Sequence, residues 1–565
     1  MRSTLRTLLG LMAVLVLALG AAACGGDDDN EKSGSSGDTS GTPAKSAGGG
    51  NATINLTSFP DYMDPALAYT LEGWNSLWTA YTPLLSYKHE EGAAGAELIP
   101  GLAEALPEIS NGGKTYTLKL RQGLKFSDGS PVTASAFETT IKRVLNLESG
   151  GSAFYLGIVG AEEYVKKGKA KGDIAGIKTD DSTGEITVDL KEPDGSFQYV
   201  LAMDFAGIVP ADTPFENLTK KPPPGVGPFK IENMKQNRSF DLVKNDQFPQ
   251  IEGIPEATLD KIHVDIVKNQ QRQTQDVIQN KVDWILDPPP ADQLRTVKAQ
   301  YADRFEEYVT NSTYYYFLNE RVKPFNNENA RKAVNFAIDK RALARLFGGL
   351  LEPGCNFLPP GMKGYEKIED CPYGDPNAEP QVDKAKQIIK DEGLAGTKVS
   401  VYGNDEDPSK PVTEYLADVL NDIGFKAEPK IVEASVYFTT IGNQKTKAQA
   451  GFANWFQDFP HPRNFMFLVD SKSIQQTNNQ NFGNVSDPEV DKLIHAANKN
   501  ANLDEAAPQY AQADRLLVDK AHIAPYGHRK LANFVSENVD FDNCTVTSPV
   551  YELDLTQLCL KSGSS

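Results

Sequence analysis

The sequence predicts an α/β fold, on two observations. In the second half of the chain, amphipathic helical segments alternate with short runs of β-forming residues, as in β-α-β units around a parallel or mixed sheet. In the first half, several runs place apolar residues at every second position, which predicts half-buried strands. Because 565 residues are too many for one core, we expect roughly three or four domains.

The first half is predicted to consist mainly of strands. Residues 127–131 predict a turn, because Asp-Gly tolerates a positive φ. Thr133 is expected to cap the helix that follows, which runs to about Leu145. We expect strands at 51–57, 115–120 and 186–190.

The second half is predicted to alternate helices and strands. Two proline-rich segments, 221–225 and 287–290, are stiff enough to serve as crossovers between lobes. Asp487 is expected to cap a helix that has Pro488 at its first position. We expect helices at 334–342, 382–389, 416–423 and 488–497, and strands at 397–402, 425–432 and around 551–555.

The first 23 residues predict an export signal. Arg2 and Arg6 precede a charge-free apolar run over 8–19, and small residues follow. Cys24 comes directly after them, as in a bacterial lipobox, with Ala21 where that pattern usually has Leu. We expect a lipid on Cys24 that anchors the chain to a membrane, with ordinary secretory cleavage as the alternative.

Residues 24–50 predict a flexible tether. The stretch is mostly Gly, Ser, Asp and Thr with almost nothing apolar, so it cannot bury enough surface to fold. A tether of this kind reaches roughly several tens of Å, and would let a folded body work close to the membrane.

The other four cysteines fall into two local pairs. Because an exported protein meets oxidising conditions, we predict the disulfides Cys355–Cys371 and Cys544–Cys559. Each would close a loop of about 15 residues, worth roughly 3 kcal/mol in the chain-entropy model. A metal site is the alternative, but neither pair has a Cys-x-x-Cys spacing or a nearby His.

Composition and motifs favour binding over catalysis. The 57 Lys+Arg and 76 Asp+Glu give a net charge of −19, which argues against nucleic acid as a partner. No internal apolar run reaches the ~20 residues that span a bilayer. The six histidines form no His-Glu-x-x-His, and no Gly-x-Ser-x-Gly occurs. We therefore expect no catalytic residues, no cofactor and no metal.

Several segments, in order along the chain, carry a family resemblance. They are GLAEALPEISNGGKTYTLKLRQGLKFSDGSPVTASAFETTIKRVL at 101–145, GVGPF at 225–229, YFLN at 316–319, WFQDFPHP at 455–462 and DPEVD at 487–491. Together they closely resemble family 5 extracellular solute-binding proteins of ABC transporters, the oligopeptide- and dipeptide-binding group. The resemblance covers nearly all of residues 51–565.

The resemblance implies a bilobed, periplasmic-binding-protein-like clamshell of type II with an extra domain and two crossovers between the lobes. A ligand would bind between the lobes and become enclosed as they close. Lobe I would comprise 51–88, 208–315 and 525–565, lobe II 316–524, and the extra domain 89–207.

The resemblance also implies the ligand site. In peptide-binding relatives, the Asp of the Trp-x-x-Asp segment meets the α-ammonium of the peptide, which assigns that role to Asp458. The alternative for Asp458 is to cap a turn before the next proline. Trp78 is expected in the core. The other residues expected to contact ligand are Trp455, Tyr69, Thr70, Trp74 and Asn319.

The expected function is the extracytoplasmic binding component of an ABC importer. The protein would capture peptides as a monomer and hand them to permease subunits, served by a cytoplasmic ATPase, at the outer face of the cytoplasmic membrane. One alternative keeps the importer but changes the ligand to a sugar, a nickel chelate, an opine or another amine-bearing solute. The other is an exported hydrolase, or a lipid-anchored sensor or chaperone.

Overall fold

The computed structural model describes residues 49–166, 172–406 and 408–562. The predicted export signal at 1–23, Cys24 and the tether up to residue 48 lie outside these ranges. The last two residues of the predicted tether already bond to the folded body. The Gly49 N–H donates to the Thr258 carbonyl at 2.8 Å, and the Gly50 N–H donates to the Asp260 carboxylate at 2.9 Å.

The strands form five sheets among the described residues. In chain order the strands are β1 (Asn51–Leu56), β2 (Leu85–Tyr87), β3 (Leu98–Pro100), β4 (Glu108–Ser110), β5 (Thr115–Lys119), β6 (Ile177–Asp180), β7 (Glu185–Asp189), β8 (Phe229–Lys235), β9 (Ser239–Lys244), β10 (Lys261–Ile266), β11 (Trp284–Ile285), β12 (Phe305–Val309), β13 (Ser312–Leu318), β14 (Leu351–Pro353), β15 (Lys398–Asn404), β16 (Lys426–Val432), β17 (Ala450–Phe456), β18 (Ala524–Phe534), β19 (Thr547–Ser548) and β20 (Glu552–Leu553).

The helices lie mostly between these strands, and none within the described ranges is long and apolar enough to cross a membrane. In chain order they are α1 (Leu71–Leu77), α2 (Ser135–Asn146), α3 (Ser152–Tyr155), α4 (Ala161–Lys166), α5 (Phe197–Val200), α6 (Gln270–Ile278), α7 (Ala291–Gln300), α8 (Glu328–Ala337), α9 (Lys340–Leu346), α10 (Val382–Asp391), α11 (Ser409–Asp422), α12 (Ala434–Ile441), α13 (Arg463–Met466), α14 (Pro488–Ala497), α15 (Leu503–Asp519) and α16 (Phe541–Cys544). Short 3₁₀ turns occur at Ala94–Ala96, Asp204–Ala206, Ala302–Arg304, Gln444–Thr446 and Ser471–Ser473.

Two large sheets form the centres of two lobes. Sheet A, in lobe I, has the order β11-β1-β10-β9-β8, with β1 parallel to β10 and β11. Sheet B, in lobe II, has the order β12-β18-β13-β17-β15-β16, and β14 also pairs with β18. This pairing differs from the expected lobe bounds, which assigned β12 and nearly all of β18 to lobe I. In sheet B, β15 runs parallel to β16 and β17, whereas β13 runs antiparallel to β17 and β18. The predicted α/β class with a mixed sheet is confirmed.

A third body, which we call the side domain, surrounds a four-stranded antiparallel sheet of order β4-β5-β7-β6. The alternating strands predicted at 115–120 and 186–190 are the two at its centre. Tyr116, Leu118, Ile186 and Val188 all point into one core, which they share with Trp74 of α1. The side domain and the beginning of lobe I therefore pack as one apolar unit.

The chain passes between sheets A and B twice. It leaves sheet A after β11 and enters sheet B at β12, through a segment that contains 287–290. It returns along β18, and Val535, directly after that strand, bridges Trp284 of β11. The crossover expected at 221–225 is wrong: this segment precedes β8 of sheet A, where Pro223 accepts the Tyr81 hydroxyl bond at 2.6 Å. Its stiffness serves packing within lobe I.

The predicted cap of α2 is also wrong. The helix begins at Ser135, and the Asp181 carboxylate accepts the Ser135 N–H at 2.7 Å and its hydroxyl at 2.9 Å. Thr133 bonds instead to the hydroxyl of Ser135 at 2.9 Å. The β6–β7 turn packs against the start of the helix, and its Asp181 carboxylate, 46 residues from Ser135, is a stronger acceptor than a threonine hydroxyl because it is charged.

The single helix predicted at 334–342 is divided into α8 and α9. Ile338 is extended, with ψ of 119°, and Asp339 then starts a new helix. Its carboxylate accepts the N–H groups of Arg341 at 3.0 Å and Ala342 at 3.2 Å. An Asp in N-cap geometry breaks the apolar period that sequence reasoning had followed.

Both predicted disulfides are confirmed. Cys355 pairs with Cys371 at a Cα–Cα distance of 6.1 Å, and Cys544 pairs with Cys559 at 5.5 Å. The first ties a loop of lobe II. The second ties α16 to the last described segment of the chain, beside the lobe I core.

Candidate ligand-binding site between the lobes

Asp458 is the centre of the candidate site. It lies two residues beyond β17 and is 6% exposed. The Asp458 N–H donates to Asn464 Oδ1 at 2.8 Å, and Asn464 Nδ2 donates to Asp458 Oδ2 at 2.7 Å. One carboxylate oxygen is therefore held by lobe II, while the other, Oδ1, faces lobe I.

Tyr69 brings lobe I to that second oxygen. Its hydroxyl donates to Asp458 Oδ1 at 2.8 Å, across 389 positions of sequence. The loop that carries Tyr69 is fixed by Asp61, whose carboxylate accepts the Tyr69 N–H at 2.9 Å and the Thr70 hydroxyl at 3.1 Å. Thr70 in turn caps α1 by accepting the Gly73 N–H at 3.4 Å. The structure thus places Tyr69 in the site and gives Thr70 a supporting role in the loop.

Aromatic rings form the lobe I wall of the site. Tyr69 stacks on Trp74 at 5.5 Å between ring centroids, and Phe205 lies edge-on to both, at 5.2 and 5.6 Å. Trp74 Nε1 donates to the Ala68 carbonyl at 2.8 Å, which fixes the orientation of the indole. Of the three rings, Tyr69 is 37% exposed and accessible, whereas Trp74 and Phe205 are buried behind it. Phe205 escaped the sequence analysis because it lies in an apolar run that is indistinguishable from core.

The electrostatics of the site favour a cation. Burial raises the pKa of Asp458 to about 6, and the donors on Asn464 and Tyr69 oppose that rise. Burial and the neighbouring carboxylate raise the pKa of Tyr69, so its hydroxyl keeps its proton and acts as a donor. An ionised carboxylate in this enclosure gains strongly from a positively charged partner.

Trp455 lies beside the same network. Its Nε1 donates to Asn464 Oδ1 at 3.1 Å, and its ring packs edge-on against Phe467 at 5.1 Å. The indole is half-buried, so it has contacts with the core and a face that remains available. Trp78 is buried and stacks on His89 at 4.1 Å, which confirms its expected place in the core.

Asn319 is not brought to the other site residues. The β13–β17 register pairs Ser312 with Phe456 and Leu318 with Ala450, so Asn319 and Asp458 lie beyond opposite ends of this strand pair. The paired segment alone is roughly 20 Å long at the rise per residue of a strand, so Asn319 and Asp458 lie farther apart than that. Asn319 donates to the Ala448 carbonyl at 2.8 Å, which is a contact inside lobe II.

Contacts between lobe II and the side domain were missed by sequence reasoning. Arg463 forms an ion pair with Asp194 and donates to Ser196 Oγ at 3.0 Å. His461 packs edge-on against Tyr199, with 5.0 Å between centroids. His461 lies in the WFQDFPHP segment, but nothing in the sequence indicates its partner, and only the folded chain shows that Arg463 and Ser196 meet across 267 positions.

A neighbouring backbone bond and an aromatic pair extend this contact. The Gly195 N–H donates to the Asn498 carbonyl at 2.9 Å, and Phe154 packs edge-on against Phe459 at 6.0 Å. Asp458 is therefore enclosed by contacts that join the two lobes on its lobe I side and along the side domain. The structure describes a shut form of the cleft.

Two groups of side chains in the described part of the chain have the composition of a metal site. In the first, Asp540 lies beside Cys544 and Cys559, whose sulfur atoms are joined in a disulfide. In the second, Asp470, Asp491 and His495 present ligand atoms within 4.8 Å of one another. Asp470 already bonds His495 Nε2 at 2.9 Å, and Asp491 accepts the hydroxyl and N–H of Ser471. These bonds explain the cluster as a link between α14 and the turn at Ser471–Ser473, and we assign no metal to it.

Comparisons with known proteins identify the family of the chain. The model of bacterial extracellular solute-binding proteins, family 5, matches residues 97–477. The oligopeptide-binding protein OppA of Bacillus subtilis is 26% identical over 533 residues, covering 91% of this chain and 92% of that protein.

Solved structures show the same fold. Clavulanic acid biosynthesis oligopeptide binding protein 2 superposes with a TM-score of 0.83 at 22% identity, covering 91% of this chain and 96% of its own. The periplasmic binding protein DppA from Helicobacter pylori, in complex with the peptide STSA, superposes with a TM-score of 0.72 at 21% identity, covering 91% and 99%. The fold is thus the bilobed type II clamshell expected from the resemblance, and the chain belongs to the bacterial extracellular solute-binding proteins, family 5.

Proposed function

We propose that the protein is the extracytoplasmic binding component of an ABC importer and captures peptides with a free α-ammonium between its lobes. One observation carries this proposal: the buried Asp458 carboxylate presents one oxygen to the opposite lobe, where Tyr69 donates to it at 2.8 Å. A ligand ammonium is a stronger, charged donor for the same oxygen. The relative named for oligopeptides and the structure titled with a bound peptide support this ligand class.

Enclosure supplies the affinity. As the lobes close, water leaves the ammonium and the carboxylate, and their charge-assisted bond contributes roughly 1.5–3 kcal/mol. Tyr69, the exposed ring of the three, would cover the apolar part of the ligand beside the charge and contact the cation, with the buried Trp74 and Phe205 holding it in place. The peptide main chain would pair with strand edges, which gives affinity without choosing side chains. The role of the protein in this scheme is capture and delivery, with no chemical step on the ligand.

The remaining parts of the proposal concern partners and place. The loaded, closed protein would be recognised by permease subunits driven by a cytoplasmic ATPase. A lipid on Cys24 would keep a monomeric body at the outer face of the cytoplasmic membrane, with residues 24–48 as the tether. Cys24→Ala would then release the protein from membranes.

The test begins with the ligand itself. Mass spectrometry of molecules released from the purified protein by denaturation should find peptides with free amino termini. Calorimetric titration with such a peptide should show that Asp458→Ala weakens binding about tenfold or more, since ~1.4 kcal/mol corresponds to a factor of ten. The N-acetylated peptide, which has no ammonium, should bind parent and variant equally. Equal affinity of both proteins for the free-amine peptide would remove the ammonium anchor.

A further inference from the structure

The side chain of Asn464 makes three hydrogen bonds, all to residues of the candidate site. Its side-chain nitrogen donates to Asp458 Oδ2 at 2.7 Å. Its side-chain oxygen accepts from the Asp458 N–H at 2.8 Å and from Trp455 Nε1 at 3.1 Å. The residue is 1% exposed, so water does not compete for these bonds. One amide thereby fixes the carboxylate and the indole relative to each other.

The orientation of that amide is determined by its partners. Two N–H donors converge on the oxygen of Asn464, and a carboxylate oxygen lies against the nitrogen. If the amide were flipped, its nitrogen would face the two N–H donors and its oxygen would face the Asp458 carboxylate, and all three hydrogen bonds would be lost. Asparagine is the side chain that offers both functions at this reach.

The neighbours of Asn464 in α13 hold this residue in place beside Asp458. Phe465 and Met466, the next residues of α13, are buried in the lobe II core. Arg463, the preceding residue, is paired with Asp194 of the side domain. The amide is therefore held from both sides while Asp458 lies on a loop beyond the end of β17.

We propose that Asn464 is a positioning residue for ligand capture: its amide keeps the Asp458 carboxylate ionised and directed across the cleft, and sets Trp455 beside it. The inference rests on the proposed function for the nature of the ligand, but the effect on Asp458 can be measured without one. Asn464 itself acts through Asp458 and Trp455.

The consequence is a change in pH dependence. The N–H donor of Asn464 stabilises the ionised carboxylate, so its removal raises the pKa of Asp458 further above its ordinary value. Burial also raises the pKa of Asp61, which holds the Tyr69 loop, but this group is the same in the parent and the variant. The other titratable groups around Asp458 keep their protonation state around pH 6. Burial lowers the pKa of His461 to about 3, Tyr69 stays protonated, and the Arg463–Asp194 pair stays ionised. Loss of ligand affinity should therefore be larger in acid than in base.

The experiment compares Asn464→Ala with Asn481→Ala. Asn481 is an equally buried asparagine of lobe II, bonded to Asp470 and Val485 and to none of the site residues. With trialanine as ligand, we expect Asn464→Ala to weaken binding roughly tenfold at pH 6 but by less than about threefold at pH 8, since one pKa unit is a factor of ten. Asn481→Ala should leave the ratio of the affinity at pH 6 to the affinity at pH 8 the same as in the parent protein. Asn464→Ser provides a milder variant if the alanine variant folds poorly.

A second readout needs no ligand. Trp455 fluorescence, isolated by subtracting the signal of Trp455→Phe, should titrate near pH 6 in the parent protein, and its midpoint should move upward in the Asn464 variants. Equal weakening at both pH values with an unmoved midpoint would show a merely structural role and overturn the inference. If the parent does not bind trialanine while the midpoint still moves, the choice of ligand fails and the positioning role stands.

Discussion

At the scale of single residues, burial of the Asp458 carboxylate lowers the stability of the folded protein but prepares the site to bind a cation. A carboxyl group placed where it is 6% exposed loses hydration, and its pKa rises to about 6. Two neutral donors, Asn464 and Tyr69, offset only part of that cost. A ligand ammonium would offset the rest of the cost, because its positive charge stabilises the ionised carboxylate.

Stability should therefore improve when Asp458 becomes Asn. The folded pKa lies above the ordinary value of 3.8, so the folded state binds the proton more tightly than the unfolded state. The stability contributed by this group is full below about pH 4 and is lost as pH rises through about 6. Because asparagine does not ionise, Asp458→Asn should raise the free energy of unfolding by at most about 3 kcal/mol above pH 7 and change it little at pH 4.

Thermal melting at pH 4 and pH 8 measures this effect. The melting temperature of Asp458→Asn should exceed that of the parent at pH 8 and match it at pH 4. Asp283→Asn, at a carboxylate of lobe I bonded to the Thr53 N–H and the Ser536 hydroxyl, is a control that should lower stability instead. A melting temperature for Asp458→Asn at or below the parent value at pH 8 would contradict the assignment of a buried, uncompensated charge.

The sequence predicted Asp458 and Tyr69 through the family resemblance, whereas Asn464 and Phe205 were not found. Asn464 has no signature by itself, because an asparagine six residues after an aspartate forms a clamp only if the chain turns back between them. Asn319 was placed near the cleft because of its motif, but strand register carries it to the far end of β13. A motif can predict what a side chain is able to bind, but how far it lies from other site residues depends on the register of the strands that carry it.

At the scale of elements, apolar periodicity predicted where the strands and helices lie, and side-chain partners decided where they begin. The helix at 488–497 was predicted from a local cap, and Asp487 accepts the Glu489 and Val490 N–H groups as expected. In α2 the local candidate failed, since the cap comes from the β6–β7 turn. Caps within the same segment are predictable, and caps supplied across the fold are not.

The two candidate caps of α2 can be separated by substitution. Asp181→Ala removes a carboxylate that bonds both polar groups of Ser135, and should cost about 1 kcal/mol of unfolding free energy. Thr133→Ala should cost less than half of that, because Thr133 contacts only the Ser135 hydroxyl. Urea denaturation followed by circular dichroism measures both. A larger effect at Thr133 than at Asp181 would restore the cap expected from the sequence.

At the scale of the whole molecule, two lobes with separate sheets are joined by two passages of chain, and one of these is the strand β18. Such a connection allows rotation with little rearrangement inside either lobe. Contacts across the cleft hold the described shut form, among them Tyr69 with Asp458, Arg463 with Asp194, and Gly195 with Asn498. The fold and the expected site residues Tyr69 and Asp458 followed from the resemblance, but no sequence signal indicated which residues bond to each other across the cleft.

Breaking the Arg463–Asp194 pair should shift the ligand-free protein towards an open form. The pair is partly shielded, with side-chain exposures of 35% and 23%, so its loss should cost the shut form about 1–2 kcal/mol and change the ratio of forms roughly 5- to 30-fold. Arg463→Ala should then have a larger radius of gyration in solution scattering than the parent, and saturating peptide should restore the smaller value, because ligand contacts favour closure. Arg515→Ala removes an ion pair within α15 alone and should leave the scattering unchanged. If Arg463→Ala and the parent scatter identically with and without peptide, this pair does not control closure, and the other contacts across the cleft must hold the shut form.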